Sequence, residues 1–186
     1  MLSKTELREK YLKMRREISN KAEKSSKICK KLAELDEYKN AQTVAFYKAL
    51  PSEVNLDELI SDAFSAGKTV LLPKTLIGFS LKFYRISENE RLFKSPFGVY
   101  EPQGVTENEA EKIDFIILPG VCFDLKMSRI GFGKGCYDRT LKELKCPSAA
   151  VCFEEQILKG GFIPYDENDV KPDILVTDER IYRKDF

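Results

Sequence analysis

The run Phe115-Ile-Ile-Leu-Pro-Gly-Val-Cys-Phe-Asp124, resumed at Arg129-Ile-Gly-Phe-Gly-Lys-Gly-Cys-Tyr-Asp138, decides how the chain is read. Phe115–Leu118 is apolar at every position, which suits a strand covered on both faces. Gly131, Gly133 and Gly135 alternate, so the backbone there can take positive φ and approach a ligand without Cβ obstruction. A helix is expected from about Tyr137 to Leu144, and exposed N–H groups ahead of a helix N-terminus make an anion nest. Lys134, between two of the glycines, is a mobile point charge suited to phosphate oxygens. Asp138, just inside the helix, is better placed for Mg²⁺ carried by a phosphate than for the phosphate itself. The spacing matches neither G-x-x-x-x-G-K-[ST] nor G-x-G-x-x-G. Taken alone, it reads as a phosphate site or as a glycine-rich surface turn with a capping Asp.

Strand and helix signals alternate on either side of this segment. Ser3-Lys4-Thr5-Glu6 is a capping box, after which Leu7, Tyr11, Met14 and Ile18 recur at helical spacing. Asn20 with Glu23 marks a second start before Ile28, Leu32 and Leu35, giving an N-terminal helical hairpin. Thr43–Tyr47 reads as a strand, and Asn55 with Glu58 opens a helix that Gly67 ends. Thr69–Leu72 follows, with Pro73 expected to stop it; Phe79, Leu81 and Phe83 alternate as a half-wet strand. Ala149–Phe153 and Ile174–Val176 supply two more strands, and Glu101–Lys112 reads as an acidic surface excursion. The expected fold is α/β: a three-layer αβα sandwich with a largely parallel central sheet, in one domain over residues 1–186.

Composition narrows the chemistry. With 31 Lys+Arg against 30 Asp+Glu among 186 residues, the chain lacks the basic excess of a nucleic-acid binder. Its longest apolar stretch, Phe115 to Phe123, is broken by Pro-Gly and far shorter than the ~20 residues of a spanning helix. No secretory leader is read at the start, so a cytoplasmic monomer without nucleic-acid or membrane partners is expected. The absence of histidine removes Ser-His and Cys-His nucleophile pairs and His-ligated metals. Cys29, Cys122, Cys136, Cys146 and Cys152 show no C-x-x-C spacing and read as buried reduced thiols. Lys4 and Arg8, at i and i+4, project from one side of the first helix. Glu53 lies just past the TVAFY strand, at the strand end where open α/β sheets bind ligands.

These segments, in this order and over nearly the whole chain, resemble the 5-formyltetrahydrofolate cyclo-ligase family. The resemblance is carried by Lys4–Arg8, Phe46–Glu53, Gly67–Pro73, Pro119–Asp124 with Arg129–Asp138, Ala150–Ile157 and Pro164–Asp173. It implies an ATP- and Mg²⁺-dependent cyclisation of 5-formyltetrahydrofolate to 5,10-methenyltetrahydrofolate, with release of ADP and phosphate. By the same resemblance ATP is held by Lys4, Thr5, Glu6, Leu7 and Arg8, and by Arg129, Ile130, Gly131, Phe132, Gly133, Lys134, Gly135, Cys136 and Tyr137. Folate meets Lys48, Glu53 and the tip Phe132–Cys136, Asp138 and Asp169 hold the magnesium, and Lys134 and Arg129 act in catalysis. Cys136 departs from the family, which usually has a tyrosine there. A different ATP-dependent kinase or ligase on the same scaffold, and a non-enzymatic phospho-ligand-binding module, are the alternative readings.

Overall fold

The computed structural model describes residues 2–103 and 112–184. Helices α1 (Lys4–Glu17), α2 (Lys21–Glu34) and α3 (Asp36–Asn40) precede strand β1 (Thr43–Ala45). Helix α4 (Asp57–Ser65) leads to β2 (Thr69–Thr75), β3 (Leu81–Arg85), β4 (Phe93–Lys94) and β5 (Tyr100–Glu101). Beyond the acidic excursion, most of which lies outside the described residues, come β6 (Phe115–Leu118), β7 (Cys122–Phe123) and β8 (Arg129–Ile130). Helix α5 (Cys136–Glu143), β9 (Ser148–Val151), β10 (Ile174–Val176) and β11 (Ile181–Arg183) complete the order.

Seven strands form one sheet in the order β11-β10-β9-β6-β1-β2-β3. The strands from β10 to β2 run parallel, and β11 and β3 close the edges antiparallel. Alternation along β6 shows why all four of its residues are apolar. Phe115 and Ile117 join the cluster under α2 and α4, with Ile28, Leu32 and Leu59. Ile116 and Leu118 join the opposite cluster with Leu141 of α5. Helices therefore cover both faces, as the three-layer reading requires. Helix α1 packs Leu7 and Tyr11 against Val121, Cys122 and Ile130 of the β7–β8 hairpin. Because β1 has β2 on one side and β6 on the other, the chain leaves their carboxyl ends in opposite directions. A crevice opens there, where doubly wound sheets bind ligands.

Local expectations differ from the structure in four places. Strand β2 runs through Pro73 to Thr75. Leu71 O accepts from Phe46 N on the β1 side, so alternation turns the missing Pro73 N–H toward the same side, beyond the last β1 pairing. Phe79 sits in the β2–β3 turn at φ 62 rather than in a strand. Asn20 lies in the left-handed region with no side-chain cap bond, whereas the Ser3–Glu6 capping box forms as read. Asn55 supports the start of α4 through Asp57 N, 2.7 Å from its Oδ1, while Leu56 occupies the cap position.

All five cysteines are reduced. Burial pushes Cys29 and Cys146 up to about 11 and Cys122 up to about 12. It raises Cys136 and Cys152 as well. Among the described residues no helix is long and apolar enough to cross a membrane.

Candidate active site

The crevice at the ends of β1 and β6 is a cleft of about 870 Å³. One wall is the loop from β8 into α5. Gly133, at φ 92, takes a backbone conformation that L side chains rarely adopt, and a Cβ there would lie 3.2 Å from Arg8 Cζ. Arg8 uses that closeness: its Nε donates to Gly131 O at 2.8 Å, fastening α1 to the loop. Gly135, at φ 62, turns the chain into α5, whose first residues Cys136, Tyr137 and Asp138 line the cleft.

Arg129 Nη2 donates to Asp138 Oδ1 at 2.9 Å, so the first residue of β8 and the first turn of α5 brace the loop from both ends. Val170 N donates to the same oxygen at 3.2 Å, bringing Asp169 beside Asp138. Lys4 Nζ reaches Asp166 and Asp169 at 2.8 and 2.5 Å. Burial works against its charge, yet the two carboxylates outweigh it and hold the ammonium above the ordinary lysine value. Lys134 Nζ rests 4.8 Å from the Phe79 ring centroid, and Arg139 Nη2 donates to Phe79 O. Two cations thus tie the β2–β3 turn across the mouth of the cleft.

Glu53 forms the opposite floor and is only 7% exposed. Its Oε2 accepts from Leu50 N at 2.9 Å and its Oε1 from Arg15 Nη1 at 3.3 Å. Burial raises the Glu53 carboxyl; Arg15 opposes this, and the net direction is upward. Tyr137 is also raised, by burial first and the nearby Glu53 second, so its phenol stays protonated. Tyr47 is fixed by donation to Val54 O at 2.7 Å. Lys48 lines the cleft while paired with Asp57 at 2.5 Å.

The residues singled out from sequence therefore separate cleanly. Lys4, Arg8, Lys48, Glu53, Arg129 through Asp138, and Asp169 all line this one cleft. Thr5, Glu6 and Leu7 do not. Glu6 is spent on the capping box, Thr5 faces solvent, and Leu7 is buried under α1. Sequence reasoning missed Glu101, Phe79, Phe97 and Arg139 on the lining, and Arg15 behind it. Arg15 had a signal: Lys4, Arg8, Tyr11 and Arg15 share one helical face by spacing. Glu101, buried and accepting from Thr75 Oγ1 at 2.8 Å, had none.

With the geometry in place, likeness to known proteins becomes specific. Residues 1–178 match the 5-formyltetrahydrofolate cyclo-ligase family. A protein of Schizosaccharomyces pombe named probable 5-formyltetrahydrofolate cyclo-ligase is 38% identical, covering 86% of each chain. A Mus musculus 5-formyltetrahydrofolate cyclo-ligase is 29% identical, over 82% of this chain and 81% of its own. The NMR structure of Aquifex aeolicus 5,10-methenyltetrahydrofolate synthetase superposes with TM-score 0.82 at 35% identity, covering 97% of this chain and 92% of that one. The synthetase of Mycoplasma pneumoniae gives TM-score 0.72 at 25% identity, over 95% and 99%. The match over residues 1–178, together with a relative 38% identical over most of both chains, places this chain in the 5-formyltetrahydrofolate cyclo-ligase family.

Proposed function

We propose that this cleft carries out its family's reaction, ATP-dependent cyclisation of 5-formyltetrahydrofolate to the 5,10-methenyl product, with the nucleotide in the glycine cradle and the folate on Glu53. One observation carries the reading: the cradle and the buried Glu53 carboxylate face a single cleft of about 870 Å³, roomy enough for two ligands side by side. The triphosphate meets the loop amides, Lys134, Arg8 and Lys4. Glu53 accepts two N–H bonds from the aminopyrimidine edge of the folate, for which its position between Leu50 N and Arg15 fixes the direction. Phe79, Phe97 and Val99 offer an apolar wall for the remaining ring system.

The N5-formyl oxygen attacks the γ-phosphorus, breaking the bond to ADP and leaving an iminium phosphate on the folate. N10 then bonds to the formyl carbon, phosphate departs with the C–O electron pair, and the N10 proton is released. Phosphoryl transfer of this kind depends on positioning and charge neutralisation more than on covalent help, so a chain without histidine can perform it. Lys134 and the loop amides face the charge that develops on the transferring oxygens.

Magnesium fits the residues present. Asp138 and Asp169 are hard oxygen donors side by side, and neither Asp138 Oδ2 nor Asp169 Oδ1 accepts a hydrogen bond among the described residues. Two carboxylates are what Mg²⁺ takes when phosphates and waters complete its shell, and no group of three His, Cys, Asp or Glu stands ready among the described residues to cage it alone. Bound there, the ion would neutralise charge on the phosphates held in the cradle. The test is spectrophotometric: incubation with 5-formyltetrahydrofolate and ATP should build the methenyl absorbance, and omission of ATP or magnesium should abolish it. ADP release without a formylated folate would point instead to a different ATP-using enzyme.

A further inference from the structure

Arg15 is the most deeply buried cation among the described residues, 1% exposed, and does not itself line the cleft. Its guanidinium nonetheless touches three separate pieces of the site. Nη1 donates to Glu53 Oε1 at 3.3 Å, on the loop after β1. The same nitrogen donates to Gly120 O at 3.1 Å, in the turn after β6. The Cζ lies 5.4 Å from the ring centroid of Phe132, the half-exposed tip of the glycine loop. Its Nε is buried with no hydrogen-bond partner among the described residues. Arg8, two turns earlier on α1, fixes the backbone just before that same phenylalanine through Gly131 O. The loop is therefore held at its backbone by one arginine and at its tip by another, and only the second continues to the folate side.

We propose that Arg15 is a positioning residue that couples the two halves of the cleft, so that a nucleotide settling the glycine loop orients Glu53 and tightens the folate. The proposal rests on the assignment of the loop to ATP and of Glu53 to the folate. The chain of contacts is short: loop backbone, Phe132 ring, guanidinium plane, Glu53 carboxylate. A guanidinium suits it because one planar group stacks on an aromatic face while its edge donates hydrogen bonds; an ammonium keeps the charge and loses the plane.

Isothermal titration of 5-formyltetrahydrofolate into the full chain, with and without a non-hydrolysable ATP analogue, reads the coupling directly. In the wild type the analogue should tighten folate binding within the range of roughly 5–150-fold usual for coupled sites. Arg15→Lys should lose most of the enhancement, whatever folate affinity it retains without nucleotide. Phe132→Leu, which removes the aromatic face under the guanidinium, should lose it too when measured at saturating analogue, whatever it does to nucleotide affinity on its own. Arg15→Met should additionally move the acid limb of folate binding to higher pH, because Glu53 is left buried with its opposing cation gone. A general loss of packing would lower stability without moving that limb. Unchanged enhancement in Arg15→Lys and Phe132→Leu overturns the proposal and leaves the functional reading standing. Wild-type protein that binds no folate at all overturns both.

Discussion

Replacing Glu53 with glutamine preserves the side chain's shape and removes its charge, which separates folding from binding at one atom. In the free protein two effects oppose each other. Burial holds the carboxyl above the ordinary glutamate value even against Arg15, so the ionised form works against the fold. For a carboxyl raised in this way, the stabilising contribution is full below its unfolded pKa and is lost as pH rises through the folded one. Glutamine escapes that penalty but leaves the Arg15 guanidinium, 1% exposed, without its carboxylate, and a buried pair broken in this way costs about 3–5 kcal/mol. The melting temperature should fall by up to roughly 20 °C at the ~2–4 °C per kcal/mol usual for chains of this size, so binding is read well below it.

Folate binding should respond quite differently. Two N–H bonds to a charged acceptor are worth ~1.5–3 kcal/mol each, and glutamine can accept one while turning an NH₂ toward the other donor. A net loss of about 3 kcal/mol raises the folate KM by ~10²-fold. Steady-state kinetics with each substrate varied in turn, alongside calorimetry, is the assay. The wild-type acid limb in kcat/KM for folate should lie above the ordinary glutamate value, with affinity falling as pH drops through it; Glu53→Gln should lack that limb. A folate KM within threefold of wild type, or a loss confined to ATP, refutes the placement of Glu53.

Three further substitutions probe the rest of the cleft. Lys134→Ala should lower kcat/KM by ~10²–10³ with the melting point nearly unchanged, since its ammonium rests only on the Phe79 ring; a loss below tenfold removes it from the transferring phosphoryl group. Asp138→Asn should raise the magnesium needed for half-activity while leaving the folate KM alone, read by metal titration at saturating folate. Gly120→Ala should destabilise by about 1–3 kcal/mol, because its Cβ would fall 2.2 Å from Cζ of the buried Phe123 ring; urea unfolding with an unchanged midpoint would contradict that packing.

The legible parts of this chain are those where one residue type has one job. Four consecutive apolar residues at Phe115–Leu118 can hardly serve anything but a covered strand, and that strand anchors the sheet. Alternating glycines with an intervening lysine announced the loop. Stretches that depend on a distant neighbour were opaque. Pro73 reads as a stop until one knows that β1 has already ended beside it. The expected ATP contacts at Thr5, Glu6 and Leu7 lie off the cleft lining because the helix turns Lys4 and Arg8, four positions apart, toward it. Glu101 belongs to the site by virtue of a strand pairing that no local pattern foretells.

The five cysteines have a practical bearing on how this enzyme tolerates its surroundings. With Cys29 and Cys146 near 11, about one thiol in ten thousand is a thiolate at pH 7, and Cys122 is scarcer still. Even Cys136, on the cleft wall, is shifted away from the reactive form by burial. Preparations should therefore keep full turnover for days in air without dithiothreitol, and iodoacetamide at neutral pH should label the native chain sluggishly. Rapid inactivation under either treatment would mean that the wall around Cys136 opens far more often than its packing suggests.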